Sequence, residues 1–203
     1  MEHPAYLAAL EAMSLLSGIR AEALAQPVSA DRLPRLELPP MEPLLPGPRG
    51  ISNRIRIDRS QTNGQFSCVE YALAPRKMGP EPHLHRDLDE LMYVLEGTIS
   101  VLIGEQVYEV SAGSWHLRPR GILHAFWNAT DQPVVALDCY FEQPFEEYLV
   151  ATTRTLPELA QARGLPLNAP EIQALYNELY HQYGLVRFPE KRGELIERYG
   201  LVG

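Results

Sequence analysis

The chain has 203 residues, 45% of them hydrophobic and 22% charged, the make-up of a globular protein of one domain or one domain with appendages. Its 26 acidic residues exceed its 18 lysines and arginines, for a net charge of −8. No surplus of cations exists to neutralise phosphates, which argues against nucleic acid or an anionic membrane surface as partner. No apolar run reaches the roughly 18 residues of a membrane-spanning helix, so no membrane insertion is expected.

Residues 4–25 predict an amphipathic helix, with Leu7, Leu10, Met13 and Leu15 at near-helical spacing and Pro27 closing it. A secretory leader ending near Ala25 is the competing reading. The segment lacks a basic start and carries Glu11, Arg20 and Glu22, which favours the helix. Six prolines between Pro34 and Pro48 then fix φ and remove donors, predicting an extended arm. Residues 1–50 are thus read as helix plus arm, and the helix needs an apolar surface to cover its face.

From Ile51 the period changes to two. Ile55 and Ile57 alternate with Arg56 and Asp58, the turn-like Gln61-Thr62-Asn63-Gly64 follows, and Phe66–Ala74 reads as a strand. Further strands are predicted at Leu91–Leu95, Thr98–Ile103, Gln106–Val110, Ser114–Leu117, His124–Asn128 and Val134–Phe141. Short strands with glycine and proline turns between them predict a β-barrel or sandwich over residues 51–143. Beyond Pro144 the period is helical again. Segments 145–153, 157–163, 170–183 and 189–199 read as short helices, so residues 144–203 form a helical extension.

Cys68 and Cys139 lie far apart in apolar, strand-like runs, the pattern of buried thiols in a reducing, cytoplasmic compartment. A disulfide between them is the alternative, because strands distant in sequence can pair.

The chemistry concentrates between Gly79 and Asn128. His83 and His85 stand at i and i+2, which on a strand puts both imidazoles on one face. Glu90, across a short loop, can bring a carboxylate beside them, and His124 supplies a third imidazole for a four-ligand set. The first segment reads G-x(3)-H-x-H-x(4)-E-x(6)-G from Gly79 to Gly97. The second reads G-x(5)-P-x-G-x(2)-H-x(3)-N from Gly113 through Pro119, Gly121 and His124 to Asn128. Together they resemble the two motifs of the cupin superfamily, the second matching at every fixed position. The loop before His83 is shorter than the family's usual one, and the 15 residues between Gly97 and Gly113 resemble the spacing of small bacterial cupins.

The resemblance implies a double-stranded antiparallel β-helix, a jelly-roll barrel, and makes His83, His85, Glu90 and His124 metal ligands. Three imidazoles and a carboxylate suit one divalent transition ion, Fe, Mn, Ni, Co, Cu or Zn, and the absence of thiolates disfavours a closed structural zinc site. The alternative is a degenerate barrel in which these residues only bond one another. Glu70, if it projects into the cavity, is a candidate catalytic base; Glu70 and Tyr71 occupy opposite strand faces, and parity alone does not say which is inside. His116 reads as exposed or as a neighbour of the site, Asn128 as a loop anchor, Phe126 and Trp127 as core, and Arg76, Arg118 and Arg120 as solvated.

A looser resemblance to quercetin-dioxygenase-like cupins rests on Thr62-x-Gly64, Glu70, the Gly79-Pro-x-Pro-His-x-His turn and the Glu-Leu-Tyr-x-x-Tyr-Gly184 stretch. It implies a metal-dependent dioxygenase acting on a small organic substrate. The alternatives are a non-catalytic metal- or ligand-binding sensor and a metal-dependent isomerase. A homodimer is expected, because such barrels pair.

Overall fold

The structure, a computed structural model, describes residues 38–203. The predicted helix at 4–25 and the part of the proline-rich arm before residue 38 lie outside the described residues. The described end of the arm, 38–47, has no regular secondary structure.

Ten strands follow: β1 (Ile51–Ile57), β2 (Phe66–Leu73), β3 (His83–His85), β4 (Glu90–Glu96), β5 (Thr98–Ile103), β6 (Gln106–Ser111), β7 (Trp115–Arg118), β8 (His124–Trp127), β9 (Val134–Phe141) and β10 (Leu185–Arg187). They make two five-stranded sheets, ordered β1-β2-β9-β4-β7 and β10-β3-β8-β5-β6, and every ladder is antiparallel. The predicted jelly-roll barrel is what the chain forms. The helical tail comprises α1 (Phe145–Val150), α2 (Leu156–Ala162), α3 (Pro170–Gln182) and α4 (Pro189–Tyr199), with a π-turn at Ala151–Thr155 joining the first two.

Alternation builds the core. Val69, Tyr71 and Leu73 of β2, Met92 and Val94 of β4, Ile99 and Val101 of β5, and Val134, Ala136 and Tyr140 of β9 all turn into one buried cluster. Each large apolar side chain so buried contributes about 1.5–3 kcal/mol. The turn between β4 and β5 depends on Gly97 at φ 78°, where an added Cβ would stand 2.8 Å from the Pro133 carbonyl oxygen.

The tail is tied to the barrel rather than merely following it. Gly184, at φ 62°, closes α3 and its carbonyl accepts from the Arg86 amide at 2.9 Å, launching β10 alongside β3. Leu185 then faces His85, and Arg187 faces His83. β10 was not among the expected strands. Three residues are too few to show a period, and the pairing needs a partner a hundred positions away. Without it β3 would be held laterally by a single registered pair, His83 opposite His124.

Candidate metal centre

Strand alternation puts His83 and His85 on the same side of β3, while Leu84 points away. His124 opens β8 directly opposite His83. Glu90 opens β4 in the other sheet. One sheet therefore provides three imidazoles, the other a carboxylate, and the four offered ligand atoms lie within 4.8 Å of one another. All four side chains are buried.

Their protonation follows from their partners. His83 Nδ1 is 2.6 Å from the Glu81 carbonyl oxygen, and His124 Nδ1 is 3.1 Å from that of Ile122. A carbonyl can only accept, so each Nδ1 carries a hydrogen, and in the neutral form of each ring the lone pair is at Nε2. Those two Nε2 atoms are 3.2 Å apart. Two lone pairs at that distance repel unless a cation stands near both. Protonating His83 is unfavourable, since burial, and then repulsion from His124 and His85 in their protonated forms, holds it well below the ordinary histidine range. His85 has no hydrogen-bond partner on either ring nitrogen. Glu90 Oε2 lies 3.0 Å from His124 Nε2 and 3.3 Å from Arg118 Nε without hydrogen-bond geometry to either. These buried, unpartnered donor atoms fit a divalent ion, and the Nδ1–carbonyl bonds aim the rings at it.

The family model of the cupin domain matches residues 69–140. The barrel is a cupin domain. Germin-like protein 5-1 of Oryza sativa subsp. japonica is 26% identical over 124 residues, covering 56% of this chain and 55% of that protein. The chain thus spans about half the length of the curated relative it matches. Among solved structures, KdgF from Halomonas sp. is 19% identical with a TM-score of 0.42, over 46% of this chain and 80% of its own. The polyketide cyclase RemF from Streptomyces resistomycificus is 26% identical with a TM-score of 0.41, over 46% of this chain and 66% of its own. A recombinant oxalate oxidase in complex with glycolate is 20% identical with a TM-score of 0.41, over 66% of this chain and 74% of its own.

Behind Glu90 the cupin buries a charged network that the sequence reading missed. Arg118, expected to be solvated, is fully enclosed: its Nη2 donates to Asp138 Oδ1 at 2.5 Å and its Nε faces Glu90. Burial opposes the Glu90 anion, but the Arg118 and His85 charges outweigh it and hold the carboxyl well below its usual range. Asp138 moves the other way. Burial raises it, and the Glu90 charge adds to that against the pull of Arg118. Tyr71 and Tyr140 join hydroxyls at 2.8 Å beside this pair. The β-period marked these positions as strand but gave no sign of their face.

A cavity of about 460 Å³ reaches His83, Glu90, Asp138, Tyr71 and Tyr140. The tail walls it with Phe145, Tyr148 and Tyr180, and Phe145 meets the His85 ring edge-on at 4.8 Å. Gly79 lets the loop before His83 cross the Phe126 backbone, where a Cβ would meet the carbonyl oxygen at 2.5 Å.

Glu70 is not in this cavity, contrary to the expectation of a catalytic base there. Tyr71 takes the inward face of β2, so Glu70 points outward. Arg54, its registered neighbour on β1, grips it through two bonds of 2.9 and 3.1 Å, and Arg56 adds a third at 3.3 Å. His116 stands outside the four-residue cluster, as expected. Asn128 is a loop anchor, donating to the Ala74 and Gln132 carbonyls and accepting from the Thr130 amide. Both aromatics are core, as expected: Trp127 packs in a second cluster with Met78 and Leu195, and Phe126 in the main one, where it also borders the cavity. Arg76 and Arg120 are exposed and paired with Asp131 and Asp89.

Proposed function

We propose that the protein is a metal-dependent, dioxygenase-like enzyme that holds a small organic substrate beside an ion bound by His83, His85, Glu90 and His124. The observation that carries the reading is the open cavity running to His83 and Glu90, which gives a substrate atom access to the ligand cluster. When bound, the ion supplies Lewis-acid polarisation of a substrate oxygen and a redox-active centre if it is iron, manganese or copper. The chain's own residues do the rest. Arg118 keeps Glu90 anionic, Tyr71 and Tyr140 offer hydroxyls to a substrate oxygen, and Asp138, with its raised affinity for a proton, is placed to accept one. Phe145 and Tyr148 exclude water from that side.

Oxygen uptake tests the reading. Protein loaded anaerobically with Fe or Mn is expected to consume oxygen with some member of a panel of phenols, diketones and thiols. Full metal occupancy without uptake by any of them points instead to a binding protein or an isomerase.

The reading extends to a cytoplasmic homodimer. The free thiols of Cys68 and Cys139, opposite one another across β2 and β9, support a reducing compartment. Among the described residues no helix is long and apolar enough to cross a membrane. For the dimer, the support is the outer face of the β1-containing sheet, which exposes Leu95, Trp115, Leu117 and Phe141. Light scattering at micromolar concentration is expected to give twice the chain mass.

A further inference from the structure

The cavity that reaches His83 and Glu90 is also lined by four cations, Arg49, Lys77, Arg187 and Arg192. Arg187 is matched: it pairs with Glu81 and lies over the Tyr180 ring, 4.5 Å from its centroid. Of the other three, Arg49 and Arg192 are bonded to no carboxylate among the described residues. Arg192 donates Nη1 to the Gly79 carbonyl at 2.9 Å, and Lys77 donates Nζ at 2.5 Å to an oxygen of Gly203, the last residue, whose terminal carboxylate offsets its charge, while Arg49 bonds to no described side chain or carbonyl.

Their meeting is built into the fold. Gly50 sits at φ 77°, and a Cβ there would stand 2.9 Å from Lys77 Cδ, so the lysine stem lies on bare backbone next to Arg49. Arg192 comes from α4 and is fixed by the carbonyl of Gly79, the glycine that opens the first ligand motif. Like charges so placed repel. Burial and then the charges of Arg192 and Arg49 lower the affinity of Lys77 for its proton, and burial does the same at Arg192. In a chain of net charge −8, three cations around one concavity, two of them bonded to no carboxylate, focus a positive potential there.

We propose that Arg49, Lys77 and Arg192 form an anion subsite that seats the carboxylate of a small organic acid, with the acid's carbon body along Phe145 and Tyr148 and its far end toward His83 and Glu90. One donor of Lys77 and one of Arg192 are already engaged, by the Gly203 terminal oxygen and the Gly79 carbonyl, which suits two carboxylate oxygens better than a dianionic phosphate. The aromatic wall of Phe145, Tyr148 and Tyr180 suits an apolar carbon body. The subsite deepens the enzyme reading above by naming its substrate class.

Calorimetric titration of the full chain with benzoate, hexanoate, phenyl phosphate and benzyl alcohol tests it, with and without metal and at low and high salt. At least one carboxylate is expected to saturate in the millimolar range, to weaken with salt, and to bind at least about tenfold better than benzyl alcohol. Arg192→Gln and Lys77→Gln should each weaken it about tenfold, and Arg86→Gln, on the exposed surface, should not. No saturable carboxylate binding, equal binding of the alcohol, or unchanged affinity in both charge variants overturns the subsite. Preference for phenyl phosphate reassigns it to phosphate esters and overturns the carboxylate assignment. Elemental analysis of the same samples keeps the two readings apart: charge-dependent carboxylate binding by a chain that takes up no metal retains the subsite and removes the enzyme reading.

Discussion

His83 and His124 hold their Nε2 atoms 3.2 Å apart while each Nδ1 is bound to a backbone carbonyl two residues earlier in the chain. Neither ring can turn away without breaking that bond, so the lone pairs stay convergent. His124→Ala and His85→Ala are each expected to lower metal affinity more than about a hundredfold, beyond the effect of losing an outer partner. Circular dichroism should keep the β signature. A full metal equivalent in both variants, measured by elemental analysis, would sink the assignment.

Arg118 compensates two buried carboxylates at once, Glu90 and Asp138. Arg118→Met leaves them facing each other in the core, at a cost of about 3–5 kcal/mol. Adding Asp138→Leu removes one of the two stranded charges and should recover part of that loss. Urea denaturation reads both. A loss under about 1 kcal/mol for the single variant would contradict the network.

Glu70→Gln separates the outer face of β2 from the inner. The carboxylate is held by Arg54 and Arg56, away from the cavity. The expected result is unchanged metal stoichiometry and unchanged carboxylate binding, with a stability loss of about 1 kcal/mol from the weakened arginine pairs. Loss of metal or ligand binding in a folded Glu70→Gln protein would return the residue to the site.

Acid should destabilise the metal-free protein through His116 among others. Burial, followed by the charges of Arg118 and His124, pushes this imidazole down to about 4, against 6.5 for an ordinary histidine. Between those values the unfolded chain binds a proton that the folded one refuses, so this contribution is present above pH 6.5 and is lost as pH falls toward 4. Calorimetric melting in chelator across that range should show a shallower decline for His116→Gln than for the parent. Parallel declines would remove His116 from the account.

Much of the fold and the ligand set was legible along the chain. The strand-like pattern located eight of the ten strands, because each runs over four or more residues between turn signals. The two gapped motifs held the ligands, because ligation from a short strand requires His-x-His and the turns around it require glycine and proline at set distances. Lone features failed where position depends on a distant partner. β10 has three residues and becomes a strand only by lying against β3.

The sequence alone determined a β-barrel with His83, His85, Glu90 and His124 in ligand spacing. Only the tertiary structure decided which face of each strand looks inward. Parity says that Glu70 and Tyr71 oppose each other; the sheet's packing against its partner sent Tyr71 to the cavity and left Glu70 to Arg54. The same register turned Arg118 inward between Glu90 and Asp138, residues 28 and 20 positions away. It also brought Arg49, Lys77 and Arg192, separated by up to 143 positions, around one opening. Local pattern encodes which residues alternate, whereas burial of a charge is set by partners that only folding brings within a few ångströms.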